Sequence, residues 1–169
     1  GGPTRQVDVY STTTGERAYR LEAHTDWITA VAFSPDGVLL ATADRAGGLH
    51  VWEADTGQEY LDLEAHAAPI TDLAWRRDGD LLATASESGH VRLFQASDGK
   101  KLKEWEAHPG GALAVTFADD GRLLSTGRDK AVVLWKPDGA VDRRLGLLPD
   151  AGQAVAILGD VTRAFAGDW

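Results

Sequence analysis

The sequence repeats itself every 42 residues. The tetrapeptide Leu21-Glu22-Ala23-His24 returns as Leu63-Glu64-Ala65-His66 and again as Trp105-Glu106-Ala107-His108. Other positions keep the same phase. Tyr10, Trp52, Phe94 and Trp135 form one aromatic series, and Gly15, Gly57, Gly99 and Gly139 form one glycine series. Asp36-Gly37, Asp78-Gly79 and Asp120-Gly121 form another series. A period of this length marks one supersecondary unit stacked on copies of itself, because a single unit cannot bury its apolar face alone.

Within a period the pattern is that of short strands. Ile28 to Phe33 alternates apolar and small residues and ends at Ser34-Pro35-Asp36-Gly37. Val38 to Ala43 is a short apolar run, Leu49 to Trp52 alternates again, and Glu59 to Leu63 is a fourth run. Four short strands divided by turn signals read as one four-stranded antiparallel sheet. No stretch between the turns carries a helical period. The fold class is therefore all-β. Copies of such a sheet bury their faces by stacking around an axis, as in a β-propeller. Phe33, Trp75 and Phe117 share one phase and are expected in the core.

With these residues the chain resembles the WD40-repeat family, whose units carry a Gly-His pair before the first strand and a Trp-Asp pair ending the third. Here the first pair is Ala-His in all three copies, and the second is Trp52-Glu53, Phe94-Gln95 and Trp135-Lys136. The resemblance implies a buried network joining the histidine, a second-strand hydroxyl, an Asp of the following turn and the third-strand Trp. Carried over, the third copy has His108, Ser125, Asp129 and Trp135. The first has His24, Thr42 and Trp52, with Ala46 where the Asp would stand. The second has His66 and Thr84, with Ser88 for the Asp and Phe94 for the Trp. The third network is thus expected to be the most complete.

A Ser, a His and an Asp also suit a hydrolase. A hydroxyl inside a sheet beside an indole, repeated in parts along the chain, fits architecture better than catalysis, and no catalytic residue is assigned. Histidines 42 residues apart sit in different sheets and do not converge on one ion, so no metal and no cofactor is expected. The net charge of −9, with no cluster of Lys or Arg, argues against a nucleic-acid partner. No apolar run approaches the length of a membrane span, so no membrane partner is expected. No signal peptide follows Gly1 and there is no cysteine, which favours the cytoplasm. The start lacks a methionine, and the expectation is that it was trimmed from something longer.

The units count out unevenly. Residues 1–23 hold the third and fourth strands of a split blade, with strands at Val7 to Tyr10 and Arg17 to Leu21. Complete blades are expected at 24–65, 66–107 and 108–148. Residues 149–169 hold the first and second strands of a split blade, at Gln153 to Leu158 and Val161 to Ala166. Four repeats can close as a homodimer with an eight-bladed ring, close on themselves with four blades, or form part of a longer propeller. The homodimer joins the exposed strand edges at both ends.

The resemblance implies protein–protein interaction through loops on one face. The loops beside the histidines carry Asp26, Trp27, Arg45, Pro69, Glu87 and Arg128, and these make the candidate binding face for an unknown protein or peptide. Trp27 stands out because the same phase holds Pro69 and Gly111 elsewhere, so the repeat does not require an aromatic there. The expected function is a non-catalytic scaffold. The alternatives are a purely structural or oligomerising ring and an enzyme with a site in the central channel. Against the enzyme, inward first-strand positions such as Ile28, Ala30 and Ile70 are apolar or small, with Asp72 the main exception.

Overall fold

A computed structural model describes residues 5–158 and 163–168. Among the described residues, sixteen strands lie in five antiparallel sheets. β1 (Val7–Tyr10) pairs with β2 (Arg17–Leu21). The first complete sheet holds β3 (Ile28–Phe33), β4 (Leu39–Asp44), β5 (Leu49–Glu53) and β6 (Glu59–Asp62). The second holds β7 (Ile70–Trp75), β8 (Leu81–Ser86), β9 (His90–Gln95) and β10 (Lys101–Glu106). The third holds β11 (Ala112–Phe117), β12 (Leu123–Gly127), β13 (Ala131–Trp135) and β14 (Val141–Leu147). The last pair is β15 (Ala154–Ile157) with β16 (Ala164–Gly167). The final two strands are thus shorter than Gln153 to Leu158 and Val161 to Ala166, and Val161 and Thr162 lie outside the described residues. Among the described residues there is no helix.

The sheets stack like blades about an axis lined by their first strands. Polar contacts join those strands from blade to blade. Trp75 Nε1 donates to the Ala32 carbonyl at 3.0 Å, Thr71 Oγ1 to the Ala112 carbonyl at 2.8 Å, and the Val115 amide to Asp72 Oδ2 at 2.9 Å. Asp72 therefore ties β7 to β11. Burial holds its carboxyl above the usual range.

Between neighbouring blades lie closed apolar layers. Ala41, Ala43 and Val51 of the first complete sheet meet Leu73, Trp75 and Phe94 of the second. Ala83, Ala85 and Leu93 of the second meet Val115, Leu123 and Trp135 of the third. At the rim, each fourth strand covers the turn glycine of the next blade. A Cβ at Gly57 would come within 2.6 Å of Tyr19 Cδ2, one at Gly99 within 2.6 Å of Leu63 Cδ2, and one at Gly139 within 3.1 Å of Trp105 Cε3. The glycines also hold φ values of 71°, 71° and 84°, a region that other residues enter only with strain. Phe33 departs from the expectation of a core residue. It is exposed, while Trp75 is buried and Phe117 half-buried, because no first and second strands stand against its face.

The histidines knit each blade internally. In the third complete sheet His108 Nδ1 lies 2.8 Å from Asp129 Oδ1, His108 Nε2 lies 2.7 Å from Ser125 Oγ, and Trp135 Nε1 donates to Ser125 Oγ at 2.7 Å. The first sheet makes the same chain. His24 Nδ1 is 2.9 Å from Asp44 Oδ2, His24 Nε2 is 2.6 Å from Thr42 Oγ1, and Trp52 Nε1 donates to Thr42 Oγ1 at 2.8 Å. Its acid is Asp44, at the end of β4, and the gap expected at Ala46 does not leave the network short. The third network is therefore not the most complete: two are whole. The second sheet keeps only the His66 Nε2 to Thr84 Oγ1 contact of 2.7 Å, since Phe94 has no N–H to give.

Two glycines explain the different sources of the acid. Asp44 pairs with Ile28 as Gly127 pairs with Ala112, so the two occupy one register. A Cβ at Gly127 would sit 2.5 Å from the His108 Cβ, so the third sheet takes its acid from the turn instead. In the first sheet Gly48 makes the room, because a Cβ there would lie 2.7 Å from Asp44 Oδ2. The Gly48 amide instead donates to Asp44 Oδ1 at 2.8 Å.

With neutral imidazoles every member is satisfied. The Nδ1–H donates to the carboxylate, the hydroxyl donates to Nε2, and the hydroxyl oxygen accepts from the indole. Burial lowers the pKa of His24 and of His108, against the opposing pull of Asp44 and Asp129. Burial, with Arg92 adding to it, brings His66 from 6.5 down to about 4.

Two tests follow from these networks. Asp44→Ala and Asp129→Ala should each lower unfolding free energy in urea by about 1–3 kcal/mol, with Asp44, the more buried, costing more. Equal midpoints for both variants and the parent chain would remove the network from the account. A folded-state His66 pKa of about 4, below the unfolded 6.5, means that the unfolded chain binds the extra proton in that window. The stabilisation is thus complete above pH 6.5 and is lost as pH falls toward 4. The loss for this group is on the order of 3 kcal/mol, and the slope of stability against pH should flatten in His66→Asn.

Candidate interaction face

The face beside the histidines is built from one backbone device used three times. The first residue of each second-to-third-strand turn donates its amide to the loop ahead of the first strand. Arg45 N bonds to the Trp27 carbonyl at 2.8 Å, Glu87 N to the Pro69 carbonyl at 2.9 Å, and Arg128 N to the Gly111 carbonyl at 2.9 Å. The repeated sequence fixes these loops in the same place, and the side chains they carry are free to differ.

They differ sharply. Asp26 Oδ1 accepts the Trp27 amide at 2.7 Å and braces the loop. The Trp27 side chain stands 49% exposed. The Arg45 guanidinium lies over the Trp27 ring, 5.6 Å from its centroid, within cation–π range. Across the second and third blades, Arg128 Nη2 donates to Glu87 Oε1 at 2.9 Å, with both side chains about half exposed. Arg45, Pro69, Glu87 and Arg128 line one cleft of about 620 Å³, together with Thr71 and Leu113 of the first strands. The candidate residues thus fall into two groups. Asp26 and Trp27 form an outer post held by Arg45, and Arg45, Pro69, Glu87 and Arg128 form the cleft wall.

The network residues lie beneath this face and belong to the blades. His24, Thr42, Trp52, His66, Thr84, His108, Ser125 and Trp135 are buried, and Asp129 reaches up from the turn to meet His108. Sequence reasoning missed Asp44, and the Gly47-Gly48 pair just after it was the available signal. It put Trp27 and Arg45 on one face, with the tryptophan near an arginine, and the structure adds the direct stack of the Arg45 guanidinium on the Trp27 ring.

Residues 61–120 match the family model described as the anaphase-promoting complex subunit 4 WD40 domain, and residues 15–53 match the WD domain, G-beta repeat. Among solved structures, the chain is similar to the crystal structure of RRP9 WD40 repeats, at 21% identity and a TM-score of 0.77 over 82% of this chain and 44% of that one. It is also similar to the structure of U3-55K, at 21% identity and a TM-score of 0.76 over 82% of this chain and 45% of that one. The chain therefore spans less than half the length of either. No curated protein matches the sequence.

If Trp27 serves the surface, Trp27→Ala should change unfolding free energy by no more than about 0.5 kcal/mol. The same truncation at Trp52, buried in a blade, should cost about 3–5 kcal/mol. Denaturant melts of the two variants make the comparison, and comparable losses would place Trp27 in the fold instead. The stacked blades, the histidine networks beneath their loops and the matches at both levels agree: this chain is a member of the WD40-repeat β-propeller family.

Proposed function

We propose that the chain is a non-catalytic scaffold that binds a protein or peptide on its loop face. The observation that carries this is the Trp27–Arg45 post beside the cleft. A large aromatic left half exposed, where the other two repeats place Pro69 and Gly111, serves no need of the repeat. Arg45 holds the ring in one orientation, which reduces the ordering cost of binding. Trp and Arg are also the residues that most often dominate binding energy at interfaces. The cleft beside them offers a mixed wall, with the Arg128–Glu87 pair alongside Pro69 and Leu113.

The scaffold reading is favoured over an enzyme by the placement of the ionisable groups. The three repeated histidines are buried and committed to hydroxyl partners, and the inward Asp72 is committed to the Val115 amide.

The test is selection of peptides from a displayed library against the folded chain, followed by titration of the winners. Trp27→Ala should weaken them by about 30-fold, as expected for a hot-spot residue near 2 kcal/mol. Arg77→Ala, in the turn after β7 and clear of the cleft, should leave affinity unchanged. Winners indifferent to Trp27→Ala and to Arg45→Ala would overturn the loop-face reading.

A further inference from the structure

The two edges of this arc of blades carry the two halves of one blade-to-blade junction, and we propose that a second copy of this chain joins them into an eight-bladed ring. The argument rests on register. The Leu148 amide donates to the Lys130 carbonyl as His108 does to Gly89 and His66 does to Gly47. Leu148 therefore holds the histidine position of the last repeat. By the strand pairings, Val155 and Ile157 then match Leu73 and Trp75, Phe165 matches Ala41, Ala83 and Leu124, and Ala166 matches Thr42, Thr84 and Ser125.

At the three junctions that follow the complete sheets, side chains in the Ala41 register pack against those in the Leu73 and Trp75 register of the next blade. At the edges, both sets are left open. Phe165 is 60% exposed, and Val31 and Phe33 are 56% and 55% exposed, although their counterparts Leu73 and Trp75 are only 7% and 9% exposed. The third-strand aromatics Trp52, Phe94 and Trp135 are 4%, 0% and 4% exposed, whereas Tyr10 in the same register is 59% exposed.

The rim repeats the pattern. Each of Gly57, Gly99 and Gly139 lies under the fourth strand of the preceding blade, but a Cβ added at Gly15 meets none of the described residues within 4 Å. The strand in the matching position is β14, whose Leu145 and Leu147 are 44% and 78% exposed.

What one edge lacks, the other edge presents. The pair β15–β16 supplies the first and second strands of a blade, and β1–β2 of a second copy supplies the third and fourth. Thr42 opposite His50 sets the register, so Ala166 lies opposite Asp8 of the second copy, and Ala164 opposite its Tyr10. Phe165 then covers Val31 and Phe33 of the second copy, and β14 covers its Gly15 turn. A two-fold axis makes both seams at once. The seam blade also has its own interior. Leu148 and Ala166 replace the histidine and the hydroxyl, so the polar network of the other blades gives way to apolar packing with Leu124, Val132 and Leu134. Tyr10, at the far end of the chain, is correspondingly a phenol and not an indole.

The chain contains no cysteine, so any disulfide in a double variant comes from the designed pair. Directly opposed strand residues have Cα separations that a disulfide spans. Oxidised A166C/D8C should run on a non-reducing gel as a linked pair of chains, at twice the 18.1 kDa of one. Light scattering of the parent chain should give the same doubled mass. Phe165→Asp and Phe33→Lys should each weaken the pair by about 100-fold or more, since each acts at two seams. Both residues are exposed in the single chain, so circular dichroism should stay unchanged. Three outcomes overturn the proposal: a single-chain mass for the parent, a disulfide formed within one chain, or a pair that survives both substitutions. The first two indicate an open arc and a self-closed ring, and the third indicates association through another surface. The Trp27→Ala variant should keep the doubled mass, so seam and loop face succeed or fail separately.

Discussion

A four-stranded sheet in this chain has two apolar faces, and neither can be left to water. The layer of Ala41, Ala43 and Val51 against Leu73, Trp75 and Phe94 shows how the need is met, with small residues on one blade receiving large ones from the next. The size alternation matters. Alanines on β4 and β8 let the neighbouring first strand approach closely, and that approach brings Trp75 Nε1 within reach of the Ala32 carbonyl. Burial then turns a weak polar contact into a necessary one, because an unpaired indole N–H in such a layer costs its full desolvation. One exception persists inside: Trp105 Nε1 is buried with no partner among the described residues. Its ring lies over the Gly139 turn and against Trp135, so packing holds it there without a hydrogen bond.

The same constraint explains where the chain departs from uniformity. Each buried network needs an acceptor for the imidazole N–H, but the fold does not care which residue provides it. Asp44 reaches its histidine from a strand end and Asp129 from a turn, and a glycine in each case clears the space. Asp44 is itself buried, which alone would raise its pKa. The His24 and Gly48 hydrogen bonds outweigh burial and keep it low, so the carboxylate stays charged and the histidine neutral. The second blade has neither indole nor acid, and there burial, with Arg92 adding to it, pulls the histidine down to about 4.

On the loop face the logic reverses. Backbone hydrogen bonds from Arg45, Glu87 and Arg128 place three loops identically, which frees the side chains from structural duty. Variation among Trp27, Pro69 and Gly111 is then tolerated by the fold, and variable positions on a rigid frame are where binding specificity is built.

Much of this was legible in the sequence. The period, the turn glycines and the alternating runs gave all-β architecture, because each strand's pattern is set locally by what its two faces must meet. The family resemblance, and not spacing alone, suggested the histidine and hydroxyl partners, and the structure brings each histidine within 2.6–2.7 Å of its hydroxyl. Three things were decided only by the tertiary structure. The acid of the first network came from Asp44, because its reach depends on a glycine across the turn and not on register alone. The Arg45–Trp27 stack joins loops 18 residues apart, a contact that no local pattern encodes. Phe33 shares its phase with buried Trp75 yet stands exposed, because phase reports which way a side chain points, while burial depends on whether another blade stands opposite it.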